Sequence, residues 1–323
     1  MEFFRYTKTY RFMGKSKFAL VLSLVMVLGS FVLLATKGLN YGIDFAGGTI
    51  VQVKYAGEAP IDAMREKLKS NPLFEGSSIS EFGSSDEVVI RMKTTTSDVV
   101  VDVGDVTHAT LAGTGDFEIR RVDIVGPKVG GELREQGMTS LILAVIGILI
   151  YVAFRFEWRF AVASVFALVH DVSIALGALS LAQIDVNLDV LAALLTILGY
   201  SLNDTIIVFD RIREGVVDSK NTELSETIDD SVTKTLSRTT LTSLTTLFVV
   251  FTLFMFGGEI IHPFAFTLLV GIVVGTYSSI FVAAPTLVWF GFDVKNYHAK
   301  LAEKARREAE KAKMRAQYES GIM

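Results

Sequence analysis

The sequence predicts an α-helical polytopic membrane protein: six transmembrane helices, with a ferredoxin-like α/β domain between the first and the second. Three observations predict it. Half of the 323 residues are hydrophobic (50%), more apolar surface than one soluble core needs. Six stretches approach or meet the roughly 20 apolar residues that a helix needs to cross about 30 Å of hydrocarbon. One polar stretch, 37–136, alternates strand and helix patterns.

The N-terminus, 1–17, carries Arg5, Lys8, Arg11, Lys15 and Lys17 ahead of the first span, 18–36. A basic start before an apolar run resembles a secretory signal, but "LLATKGLN" offers no small-x-small cleavage site, so this span is expected to be retained. The bundle at 137–292 contains the remaining spans: Met138–Phe154, Phe160–Gln183, Val190–Phe209, about Leu236–Phe256, and Phe264–Phe290. Between the fourth and fifth lies a charged connection, 211–235, and a basic tail of alternating sign occupies 293–323. The formal net charge of −4 hides a segregation. Arg155 and Arg159 sit in "RFEWR", and Arg211, Arg213, Lys220 and Lys234 in the charged connection, whereas "AQIDVNLD" and "GGEIIHP" hold no Lys or Arg. The positive-inside rule then places both termini in the cytoplasm and 37–136 on the outer face. The tail reads as a solvated helix, with lipid headgroup or ribosome contact as the alternative.

Within 37–136, "TIVQVKYAG" alternates as a strand and "IDAMREKLKS" has helical spacing. "SISEF" and "EVVIRMK" flank the turn signal at Gly83. "SDVVVDVGDVTHATL" fits strand by its valines and helix by its spacing, and "FEIRRVDIVGP" is a closing strand. Strand, helix, strand, strand, helix, strand is the ferredoxin-like order. "YGIDFAGGT" and "VGPKVGGELREQG" flank the domain. Neither ends in Gly-Lys-Ser/Thr, which argues against a phosphate loop, so their glycines are expected to shape junctions. Asp44 is expected to be a turn or cap carboxylate.

Polar residues inside the spans carry the functional signal. An ionised Asp at the bilayer centre costs about 2.5–3.5 kcal/mol, so Asp204 calls for a role. It lies some 8–9 Å inside the cytoplasmic end of its span by helical rise, with Tyr200, Asn203 and Ile207 on neighbouring turns. His170 and Asp171 interrupt the third span among small residues that let helices approach. Arg238, Thr242 and Thr245 or Thr246 share one face of the fifth, with Arg238 at about the depth of Asp204. Asn203, Asp204, His170 and Asp171 could be interhelical hydrogen-bond glue and Arg238 a snorkelling anchor. Equally, Asp204 could carry a proton that Arg238 helps to load and release. The residues alone leave both readings open. With four histidines and no cysteine, no metal spacing is recognisable, and disulfides and thiolate chemistry are excluded.

"YGIDFAGGT", "VGPKVG", "FRFEWRFA", "HDV", "GYSLNDTIIVFDRIRE", "LSRTTLTSLTTL" and "FGG" fall in the order and spacing of one family. From the first span to the sixth the chain resembles the SecF family, the smaller subunits of bacterial SecD–SecF complexes in the resistance-nodulation-division superfamily. The resemblance implies a periplasmic domain in a six-span protein of the inner membrane. It implies SecD as heterodimer partner, the SecYEG channel beyond it, and YajC and YidC as further candidates. It also implies export of unfolded preproteins driven by the proton-motive force, with no cofactor, no nucleic acid and no enzymatic step. The family's intramembrane Asp and Arg fall on Asp204 of "NDT" and Arg238 of "SRT"; Asn203 belongs to the same motif, and His170, Asp171 and Thr242 are expected as polar support. Two other readings stand beside it: a proton-driven small-molecule exporter of the same superfamily, and a passive scaffold for the channel.

Overall fold

The computed structural model describes residues 9–92, 102–218, 223–292 and 294–319. Helix α1 (Ser16–Thr36) is followed by a short α2 (Ile43–Ala46), then β1 (Gly48–Tyr55), α3 (Ile61–Lys69), β2 (Ser78–Phe82), β3 (Ser84–Met92), α4 (Val103–Thr110) and β4 (Phe117–Val125). Long helices α5 (Pro127–Arg155), α6 (Trp158–Ala182), α7 (Leu188–Asp218) and α8 (Leu224–Phe256) follow. Then come α9 (Gly258–Ser278), α10 (Ala284–Trp289) and the tail helix α11 (Val294–Glu319). Among the described residues six helices are long and apolar enough to cross a membrane, and the chain is a multi-pass membrane protein.

The sheet has the order β2-β3-β1-β4 with every neighbouring pair antiparallel, the ferredoxin-like arrangement. Strand period 2 explains its core: Val51, Val53 and Tyr55 of β1 and Val88 and Ile90 of β3 are buried with Met64 and Leu68 of α3. The opposite face, with Gln52, Arg91 and Arg121, turns toward the loop between α6 and α7. The ambiguous valine-rich stretch resolves as helix from Val103 onward; its residues 93–101 lie outside those described. Asp102 tips the balance by accepting from the amides of Gly104 (2.8 Å) and Asp105 (3.3 Å), which caps α4.

Two boundaries differ from the hydropathy reading. Helix α5 begins at Pro127, so most of the glycine-rich "VGPKVGGELREQG" is helix rather than linker; proline suits the first helical turn. Most of the 211–235 connection is likewise helical, because α7 runs on to Asp218 and α8 starts at Leu224. Hydropathy measures burial in lipid, and a helix continues into water wherever its propensity allows.

The glycines do shape the junctions. Gly47 (φ 75°) faces Pro127, and a β-carbon on Gly130 would stand 2.9 Å from the Gly47 nitrogen, so α2 and the start of α5 are locked backbone to backbone. Asp44 is a cap, but of a distant helix: its Oδ2 accepts from the amide of Leu188 at 3.0 Å, at the start of α7. Beside it, the Val186 amide donates to Asn40 O (2.8 Å) and the Gly42 amide to Val186 O (3.1 Å).

In the membrane domain α6, α7 and α9 form the centre, while α1, α5 and α8 expose apolar side chains such as Phe31, Leu143 and Phe248. Two apolar cores fill the bundle. One, near the termini, contains Phe160, Phe209 and Ile212; the other, near the sheet domain, contains Phe45, Leu194 and Ile272. Between them lies a layer of buried polar side chains at Asp171, Ser201, Asp204, Ser243 and Ser278.

Candidate intramembrane polar site

Close approach of α7 and α9 builds this layer. Gly271 sits against Ile197, and a β-carbon on Gly275 would meet that of Ser201 at 3.0 Å. The Gly271-x-x-x-Gly275 spacing in an apolar helix is a readable packing signal that the motif reading passed over. On the other side of the bundle Gly177 of α6 accommodates Ser30 of α1.

Asp204 of α7 is 1% exposed. Its Oδ2 accepts from the Ser243 hydroxyl of α8 at 3.3 Å, and Ser243 in turn accepts from Thr276 of α9 at 2.8 Å. Among the described residues no ion pair reaches this carboxylate. A buried acid held by one long neutral hydrogen bond is poorly compensated as an anion.

Asp171 of α6 is fully buried and far better served. Its Oδ2 accepts from Ser201 of α7 at 2.5 Å and from Ser278 of α9 at 2.8 Å, while its Oδ1 lies 2.9 Å from Nδ1 of His170. One carboxylate thus ties three helices. The His170 ring stacks beside Tyr277 (centroids 6.2 Å apart), whose hydroxyl donates to Ala19 O at 2.6 Å. Adjacent helical residues point about 100° apart, yet the imidazole folds back to meet the neighbouring carboxylate.

The remaining candidates lie outward. Asn203 is exposed, one residue and about 100° of helix from buried Asp204. Arg238, Thr242 and Thr245 do share one face of α8, and that face is exposed. Ser243, which does meet Asp204, is five positions from Arg238, about 140° around the helix. Arg238 therefore faces away from Asp204 in this chain. Thr242 donates back to the carbonyls of its own helix, Arg238 O and Thr239 O, both at 3.0 Å. Ser201, Ser243, Thr276 and Ser278 were missed because a hydroxyl in an apolar helix commonly bonds to its own backbone and so reads as neutral.

Immediately after Ser278 the last membrane helix opens into one π turn, Ser279–Ala283, before resuming as α10. Pro285 accounts for it, since its ring would clash with the carbonyl four residues back, at Phe281. The wide turn abuts the Asp171 hub.

A bundle of six candidate spans with an inserted ferredoxin-like domain and buried carboxylates between two apolar cores is the architecture of a membrane transport subunit. The profile for "Protein export membrane protein SecD/SecF, C-terminal" matches residues 106–293, and that for the "SecD/SecF GG Motif" matches 32–59. Protein translocase subunit SecF of Helicobacter pylori (strain 26695) is 47% identical over 321 residues, covering 99% of both chains. That of Vibrio alginolyticus is 46% identical over 299 residues, 92% of this chain and 95% of the relative. A crystal structure of SecDF, a translocon-associated membrane protein from a Thermus species, superposes with a TM-score of 0.78 at 33% identity over 88% of this chain. This chain spans 39% of that SecDF chain. The chain belongs to the SecF family of protein translocase subunits.

Proposed function

We propose that this chain pairs with a SecD half and uses the proton-motive force to promote preprotein export, with Asp204 as the residue that takes up and releases the proton. The supporting observation is the environment of Asp204: sealed from solvent, within a span, and, among the described residues, bonded only to a serine hydroxyl that does not neutralise it. Each charge crossing 100 mV gains about 2.3 kcal/mol, enough to bias a conformational equilibrium roughly fiftyfold.

Arg238 and Asn203 lie on exposed faces of α8 and α7. On this reading those faces meet SecD, and Arg238 acts across that junction; a SecDF chain carrying both halves supports the pairing. The membrane is the bacterial inner membrane, both termini are cytoplasmic, and residues 37–136 are periplasmic, as the distribution of Lys and Arg suggests. There the sheet domain helps to hold unfolded preprotein emerging from SecYEG, with YajC and YidC as further partners. No cofactor and no covalent step is involved.

The test is export of a secreted protein into inverted vesicles carrying Asp204→Asn. The uncoupler-sensitive part of export is expected to vanish while assembly with SecD persists. One observation favours a scaffold instead: Asp171, with three donors, is built as a fixed strut. A scaffold would keep uncoupler-sensitive export in the Asp204 variant.

A further inference from the structure

His170 is 5% exposed, and its buried Nε2 has no hydrogen-bond partner among the described residues. The opposite nitrogen, Nδ1, is 2.9 Å from Asp171 Oδ1. A neutral imidazole that gives its Nδ1 proton to a carboxylate presents Nε2 as a free basic lone pair. Left so, the site contains an unsatisfied buried acceptor, which is costly. A proton on Nε2 leaves that nitrogen unpartnered, now as a donor, but turns the pair into imidazolium and carboxylate in hydrogen-bond contact through Nδ1, each charge compensating the other.

His170 also lines an open, mainly apolar groove of about 530 Å³ between α1 and α6, with Lys17 and Trp289 among its other lining residues. Asp171 on its own helix and Tyr277 from α9 meet the imidazole, and Ser23 from α1 shares the groove wall with it; among the described residues Lys17 is the one charged residue from another element in that wall. From α7, Ser201 reaches only Asp171, and Asp204 bonds toward α8 instead.

We propose that His170 is a second proton-binding site in the membrane domain, with Asp171 as its counter-ion. It rests on the reading of this chain as proton-driven. One proton adds to Nε2 and later leaves from it; no other bond is made or broken, and the charge of the pair rises by one and falls back. The consequence is mechanical. Asp171 also holds Ser201, one turn before Asp204 on α7, and Ser278, directly before the π turn. An imidazolium draws the carboxylate's charge toward Oδ1, which weakens the bonds that Oδ2 accepts from both serines, so protonation loosens α7 and α9 beside Asp204.

The test uses the full chain in lipid nanodiscs with ¹⁵N-labelled histidine, the other three histidines, His108, His262 and His298, being replaced by Gln. As pH is lowered from about 8 to about 5, the range of histidine switching, the Nε2 resonance is expected to move to the protonated position, and Asp171→Asn to shift that transition. An Nε2 that stays unprotonated throughout overturns the proposal. Export by His170→Gln, which still donates to Asp171 but takes no proton, is expected to lose the pH dependence of the uncoupler-sensitive component; an unchanged pH profile overturns its part in the cycle. Failure of the Asp204 reading looks different: Asp204→Asn would leave export uncoupler-sensitive while the His170 resonance still moved.

Discussion

Gly47 and Gly130 meet so closely that neither tolerates a side chain: a β-carbon on Gly130 would stand 2.9 Å from the Gly47 nitrogen, and one on Gly47 would stand 2.7 Å from Pro127 Cα. The neighbours are backbone and cannot rotate away. Gly130→Ala is expected to cost about 1–3 kcal/mol, as overpacking does, and to lower the thermal unfolding midpoint in detergent. Gly131→Ala, with nothing within 4 Å, is the matched control and should leave it unchanged.

The Asp171 hub makes a separate prediction. Asp171→Asn removes an acceptor shared by Ser201, Ser278 and His170, and should destabilise the bundle by about 1–3 kcal/mol. Combined with Ser201→Ala, the loss should be less than the sum of the two single losses, with a coupling of at least about 0.5 kcal/mol. Additive losses in denaturant unfolding would show that the 2.5 Å contact carries no energy.

Asp185, in the loop before α7, faces Arg91 of β3 at 3.2 Å and also accepts from Asn40. The pair is part-exposed, 38% and 22%, and an ion pair of that kind is worth about 1 kcal/mol or less. Asp185→Ala should speed hydrogen exchange at the exposed edge of this contact, and the swap Asp185→Arg with Arg91→Asp should restore the slower rate.

Tyr55 gives the sheet domain an alkaline limit. Burial pushes its phenol above the ordinary 10.0, partly offset by its hydrogen bond with Thr114. A group raised in the folded state contributes stability that is complete below its unfolded value and lost as pH rises through the folded one. Protection of the sheet amides should therefore fall as pH climbs above about 10. Tyr55→Phe should lose about 1 kcal/mol at neutral pH but show a shallower alkaline decline.

The fold was legible where burial follows a local period. Val51 and Val53 alternate on one face of β1, and uninterrupted apolar runs mark the spans. Helix ends were less so, since Pro127 and Leu224 begin helices outside hydrocarbon, where hydropathy carries no signal. Asp204 stood out because a carboxylate in an apolar run is costly. The partition of its neighbours did not: whether Arg238 or Ser243 of α8 meets it depends on how α7 and α8 are rotated about their axes, and packing of α7 against Gly271 and Gly275 sets only the first of these. Arg238 does share one face of α8 with Thr242 and Thr245, but the direction of that stripe belongs to tertiary structure.

Asp44 holds the first amide of the helix that carries Asp204 sixteen residues further on, about 24 Å along the axis. A helix is stiff on that scale. One unbroken helix therefore ties the buried acid to the glycine junction on which the sheet domain is mounted, with no loop between them. Its far end is seated by a carboxylate borrowed from that junction.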